Sequence, residues 1–254
     1  MFQHHDHPSI SLKTHLHWFM LSFLSGGVNA GGFLSTQRFV SHVTGFATLF
    51  GIEAGRGDWI GALAMLSVPG FFLAGVIISG LLVERPFRRG MRPHYAVVMS
   101  LVFFCLLTAA IGGHYHWYGV WAERFNLRED YFLLALLCGA SGLQNAAIAT
   151  SSGATVRTTH LTGITTDLGL GLVRAFTLSK NRIHFLAEMK AARLRLGTIA
   201  SFALGSAVSA ALFFKYQYLG FLLPASIALY AYWVALQTYQ NEPLTPKCET
   251  EILN

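Results

Sequence analysis

Charge is what this chain lacks. Only 12% of its 254 residues are Asp, Glu, Lys or Arg, whereas 53% are hydrophobic and the mean hydropathy is +0.47. Soluble domains carry about 25% charged residues, and half that density cannot coat a globule of this size. A soluble enzyme is excluded on that ground. A disordered chain is excluded too, because it needs low hydrophobicity and high charge. Proline is scarce at 7 residues and the 25 glycines keep no three-residue period, which excludes collagen and proline-rich linkers. Cysteine is scarcer still. Cys105, Cys138 and Cys248 lie far apart, so neither a disulfide framework nor a CxxC site follows. Residues 1–17 lack the basic-then-apolar order of a cleavable signal, so the first span is expected to be retained. What remains is a polytopic membrane protein.

A span needs roughly 20 mostly apolar residues to cross about 30 Å of hydrocarbon. Runs 59–83, 95–113, 131–156, 196–214 and 216–240 contain no Asp, Glu, Lys or Arg. Run 14–37 also lacks all four, with His15 and His17 at its start. Two shorter apolar pieces, 39–52 and 158–179, are interrupted by His, Gly and Thr, and the second holds Asp167 and Arg174. The net charge of +6 fits basic cytoplasmic loops. Arg85, Arg88, Arg89 and Arg92 put the loop 84–94 inside, and the less basic loop near 114–130 goes outside. Lys180, Arg182, Lys190, Arg193 and Arg195 put 180–195 inside, as an expected amphipathic interfacial helix. Six spans satisfy these signs only if neither short piece crosses, and both termini then lie inside.

The chain also resembles itself. Ser25–Thr48 aligns with Ser141–Thr166 across a two-residue gap. The matches are Ser25/Ser141, Gly26/Gly142, Asn29/Asn145, Ala30/Ala146, His42/His160, Thr44/Thr162, Gly45/Gly163 and Thr48/Thr166. Three spans per half is an odd number, so the halves are expected to be inverted across the membrane. Interrupted segments at matching places in inverted repeats point to a transporter's midplane site. Small residues such as Gly27 and Gly31, or Ser201, Gly205 and Ser209, are first of all packing devices.

Thr44 and Thr162 are expected to cap the short helices, whose N-termini would attract an anion. Asn29 and Asn145 lie within spans, where an amide bonds across helices or faces a solute. His42 and His160 suit proton relay. Asp167, an ionisable group expected at membrane depth, is read as the ion-coupling carboxylate, with Arg157 or Arg174 to neutralise it. His4, His5, His7, His114 and His116 keep no fixed four-ligand spacing, so no metal site is read. Gly139-Ala140-Ser141-Gly142 spells the GxSG of intramembrane serine proteases. The last two spans hold no His to activate a nucleophile, and Ser25-Gly26 already matches the Ser-Gly pair.

The stretch GLQNAAIATSSGATVRTTHLTGITTDLG, Gly142–Gly169, together with SGGVNAGGF and SHVTG of the first half, resembles the YoaK-like family of bacterial membrane proteins. That family is a set of multi-span proteins of unknown function, loosely associated with small-solute transport. The resemblance covers roughly 15–240 and implies class and location but no established chemistry. The family's first motif is expected to continue with a polar residue after its Thr-Gly pair. Here Phe46 stands in that place.

The expected architecture is an all-α membrane protein with six transmembrane helices plus two short re-entrant or half helices, in two inverted repeats. A His-containing cytoplasmic tail, 1–13, precedes the first repeat, 14–113. An outer loop, 114–130, leads to the second repeat, 131–240, and a cytoplasmic tail, 241–254. The expected location is the bacterial inner membrane. The expected function is a secondary transporter or permease, not an enzyme, for a small solute, with an anion favoured. Asn29, His42, Thr44, Asn145, Arg157, Thr159, His160 and Thr162 are the expected solute ligands, and Asp167 the coupling group. No cofactor or metal is expected. The expected partners are membrane lipids, the solute and a second copy of the chain, with no nucleic acid. The competing reading is a non-transporting scaffold or accessory subunit, in which Asp167 is a structural charge.

Overall fold

A computed structural model describes residues 12–123, 126–153, 158–177 and 182–241, in which every regular element is helical. Arg157, the cluster His4, His5 and His7, and the C-terminal tail lie outside the described residues. Helix α1, Leu12–Thr36, stops where Gln37 turns left-handed at φ +57, its N–H donating to the Phe33 carbonyl at 2.8 Å. The short α2, Val43–Gly55, follows. Asp58 caps α3, Trp59–Ser79, by accepting from the Gly61 N–H at 2.9 Å. That helix runs on through a π turn, Gly80–Glu84, into the single turn α4, Arg85–Arg88. Next come α5, Tyr95–His114, and α6, Leu127–Ser151, which Asn126 caps at the Arg128 N–H. The left-handed residue after α6 is Gly153, also at φ +57. Counted on from Ala30/Ala146 without a gap, it stands opposite Gln37. The short α7, Leu161–Thr177, precedes α8, Arg182–Tyr216, a 3-10 turn at Gln217–Phe221, and α9, Leu222–Asn241.

Among the described residues, four stretches are long and apolar enough to cross a membrane. They are Trp59–Arg88, Tyr95–His114, Arg128–Ser151, and Arg182–Thr238, which holds both α8 and α9. Helix α1 has the length, but its Ser, Gly and Asn residues dilute its apolarity. With 13 and 17 residues, α2 and α7 reach only about 20 and 25 Å at ~1.5 Å per residue. The interfacial helix expected at 180–195 is not a separate element. From Arg182 onward it forms the first turns of α8, a continuous helix of 35 residues. No proline interrupts this segment, and Gly197 is held in the helix by Phe19, which fills the space of its missing Cβ. A helix about 52 Å long exceeds the hydrocarbon thickness, so the basic first turns of α8 extend past it.

Small residues set the packing. Along the α1–α8 seam, Phe19 meets Gly197, Gly26 meets Phe202, Gly27 meets Ser209, and Gly31 meets Phe213. Both sequences rise together, so the two helices run parallel. Along the α3–α6 seam, Ser67 and Tyr131 share a hydrogen bond, and further on Gly75 meets Gly139 and Gly142 meets Phe72. These helices are parallel as well. Helix α9 runs antiparallel to α1, with His17 stacked on Tyr230 at one end and Gly31 against Phe221 at the other. The two seams correspond residue by residue. Gly26 lacks a Cβ where the Phe202 carbonyl lies, and Gly142 where the Phe72 carbonyl lies. Gly205 does so opposite the Phe23 carbonyl, and Gly75 opposite that of Gly139. Helices α2 and α7 each lie along the helix that follows, α3 and α8.

The core between these seams is apolar, with Trp18, Leu134, Met99, Phe213 and Phe221 fully buried. Ile60, Leu63, Phe104, Phe214 and Trp233 point outward instead. Large apolar side chains exposed on α3, α5, α8 and α9 mark a lipid-facing surface.

Candidate functional site

Where α1 and α6 cross, the core turns polar. Gln144 is 2% exposed and donates from Nε2 to the Leu21 carbonyl at 2.7 Å and to Ser25 Oγ at 3.0 Å. Ser25, Asn29, Ser141 and Asn145 are buried on the same two helices. In the first half Ser41 Oγ, in the turn after α1, donates back to Asn29 Oδ1 at 3.1 Å. The repeat alignment gives Thr159 and Asn145 as the counterparts of Ser41 and Asn29. Both are buried, yet Thr159 Oγ1 and Asn145 Oδ1 make no hydrogen bond among the described residues. The same is true of Thr158 Oγ1, whose counterpart in the first half is the buried Val40. One half therefore closes its polar pair, and the other leaves it open.

Beside the closed pair lies an open cleft of about 320 Å³, lined by Arg38, Phe33, Phe39, His42, Phe46 and Leu49 among others. Phe33 stacks on Phe39 at 4.4 Å between ring centroids, and Phe39 meets the His42 ring edge-on at 4.9 Å. Phe46 is buried in the wall and makes this part of the cleft apolar. Arg38 donates from Nη1 to the Gln37 carbonyl at 3.1 Å. Desolvation pushes the His42 imidazole below its ordinary pKa. Arg38 and the α2 N-terminus bring positive charge to the cleft, and the Glu53 carboxylate acts on Arg38 in turn.

A family model described as "Protein of unknown function (DUF1275)" matches residues 17–235, most of the chain. The chain belongs to the DUF1275 family. This membership agrees with the resemblance to YoaK-like proteins of uncharacterised function. No curated protein and no solved structure matches it.

Thr44, His160 and Thr162 of this DUF1275 protein lie at the starts of the short helices. Thr44 and Thr162 do not cap them. His42 occupies the N-cap position of α2, makes no side-chain capping bond, and accepts the Phe46 N–H at its carbonyl, 3.4 Å away. The His160 carbonyl accepts the Ile164 N–H at 3.1 Å. Thr44 and Thr162 sit one residue inside, both exposed. Their carbonyls accept from Thr48 and Thr166 hydroxyls at 3.1 and 3.0 Å, the same bond in each half. Asp167 is exposed on α7. Arg174 does not form an ion pair with it, because Glu188 of α8 takes that guanidinium at 2.8 Å. Two carboxylates compete for one cation, and Glu188 reaches it bidentately. Sequence reasoning missed Gln144, Ser25 and Ser41. The signal for Ser41 was its place beside the repeated His42. Gln144 had none, because its counterpart is Val28.

Proposed function

We propose that this chain is a secondary transporter for a small anionic solute, built as two inverted halves with six crossings. The observation that carries this reading is the unequal state of equivalent residues: Ser41 bonds Asn29, whereas Thr159 Oγ1 and Asn145 Oδ1 have no hydrogen-bond partner among the described residues. Two like halves in unlike states generate a second conformation by exchanging those states, which is alternating access. The packing directions support the inversion. Helix α1 is parallel to α8 and antiparallel to α9, and α3 is parallel to α6. Residues 89–94 join α4, the continuation of α3, to α5, and residues 115–126 lie between α5 and α6. Helices α1, α3 and α5 then alternate in one sense and α6, α8 and α9 in the other, while α2 and α7 turn back without crossing.

Arg38 and the uncapped start of α2 favour an anionic group, and the aromatic wall of the cleft favours an apolar body beside it. Broken helices persist at membrane depth only where they are buried in protein or line a cavity, which fits both short helices. Thr44, His42 and Asn29 serve the first half, and Thr162, His160, Thr159, Arg157 and Asn145 the second. Asp167 is the candidate carrier of a coupling proton. Its exposure means that Asp167→Asn should leave the amount of folded protein unchanged. In proteoliposomes loaded at different pH, that variant should take up solute with a flat pH profile where the parent responds to the gradient. A variant whose pH response equals the parent's removes Asp167 from the mechanism. Loss of folded protein favours the scaffold reading.

A further inference from the structure

The cleft beside α2 has a lining that narrows the chemistry of its ligand. Its volume of about 320 Å³ lies near the lower end for ligand pockets, about 300–1,000 Å³. Phe33 and Phe39 face it as a near-parallel pair, 16° apart with 4.4 Å between centroids, and they are 37% and 44% exposed. Phe46 and Leu49 extend the same apolar wall. Gly45 leaves space beside it, because a Cβ built there meets only the His42 Cβ, at 3.8 Å. Among the described residues, Arg38 is the one Lys or Arg in the lining, and no Asp or Glu lines it. The Thr48 hydroxyl already donates to the Thr44 carbonyl at 3.1 Å, which leaves Gln37 and His42 as the other polar side chains. The second half carries no such wall. Ala149 and Ile164 stand at the places of Phe33 and Phe46, and Asp167 at that of Leu49.

We propose that this cleft binds an aromatic monocarboxylate, a single ring carrying one carboxylate. A guanidinium is a planar fork that matches a carboxylate through two parallel hydrogen bonds. Glu53 acts on Arg38 from outside the lining, so one ligand charge balances the site and a second does not. A dicarboxylate or a phosphate dianion would press its extra charge on the phenyl wall, where nothing balances it. A sugar or polyol would leave hydroxyls without partners. A free amino acid would set its ammonium against Arg38 and the positive α2 N-terminus, with no carboxylate in the lining to receive it. A ring fits where these do not. Aromatic side chains attract a further ring, offset-stacked or edge-on, and the bare Gly45 leaves flat space for one. The choice of cleft rests on the transport reading above; binding itself does not require transport.

Equilibrium dialysis of radioactive benzoate against the purified full chain, in a non-ionic detergent at neutral pH, tests this. Binding should saturate at one benzoate per chain. Benzamide, terephthalate and phenylalanine should each compete at least about tenfold less well, and cyclohexanecarboxylate a few-fold less well. Gly45→Leu, at an exposed position, should fold and lose binding by filling the cleft. Phe39→Leu should weaken binding about two- to tenfold, Phe39→Tyr should keep it, and Arg38→Gln should remove it. No saturable binding, equal competition by benzamide, or unchanged binding in Gly45→Leu overturns the site. Decanoate bound more tightly than benzoate overturns it in favour of a lipid chain. Benzoate that binds without entering proteoliposomes overturns the transport reading alone. Uptake of another anion without benzoate binding overturns this assignment alone.

Discussion

Gly26→Ala should cost this protein about 3 kcal/mol, the upper end of what overpacking a tight core does. At this chain length that loss lowers the unfolding midpoint by roughly 6–12 °C. The cause is local and hard. A Cβ on Gly26 would collide with the Phe202 carbonyl, a backbone atom that cannot swing aside. The same methyl on Gly142 would collide with the Phe72 carbonyl, on Gly205 with that of Phe23, and on Gly75 with that of Gly139. The four variants should therefore fall together, in equivalent pairs of similar size. Gly51 of α2 and Gly70 of α3 have nothing within 4 Å of a built Cβ. Alanine there should be neutral or stabilise by up to about 1 kcal/mol, through helix propensity. Thermal unfolding in detergent measures all six. An unchanged midpoint in Gly26→Ala and Gly75→Ala would contradict the seams described above.

On the transport reading, Gln144→Leu should give the opposite pattern: a folded chain that has lost most of its uptake. Leucine is close in volume, and the Ser25 hydroxyl freed by the change can turn to a carbonyl of its own helix. The stability change should stay within about 2 kcal/mol, the range for a lost side-chain hydrogen bond. Uptake should suffer because Gln144 ties α6 to α1 through Leu21 and Ser25 where the two halves meet. On the transport reading, a tie at that point fixes the level at which one half turns against the other. Initial uptake rate and unfolding midpoint, measured on one preparation, separate the roles. Full uptake removes Gln144 from the mechanism. Unfolding in step with lost uptake assigns it to packing alone.

These two positions also mark what could be read from the sequence and what could not. The runs free of charge became helices because nothing in them favours water over the hydrocarbon, and α1, α3, α5, α6, α8 and α9 follow from them. Gly26 and Gly142 announced close packing by being small and repeated. Gln144 stayed hidden because searching for identity between halves passes over a place where they differ. The Ser41–Asn29 bond stayed hidden for a related reason, since its counterpart carries Thr rather than Ser. The start of α2 was misread because Thr44 is a better cap in isolation, yet the turn set by Gln37 puts His42 at the cap position. The long α8 was misread because a change from basic to apolar composition looks like a boundary. A helix needs a breaker to end, and none stands between Arg182 and Gly197. The partner of Arg174 was out of reach of local spacing, because Glu188 comes from the next helix.

The central claim is that equivalent motifs face opposite sides of the membrane. Thr44 and Thr162 are exposed and equivalent, and neither side chain packs into the core. Single cysteines at these two positions, in a chain whose Cys105, Cys138 and Cys248 have been replaced, can be labelled with a membrane-impermeant thiol reagent from each side of sealed vesicles. The inverted arrangement predicts that position 44 reacts only from outside and position 162 only from inside. Labelling of both positions from the same side would contradict it.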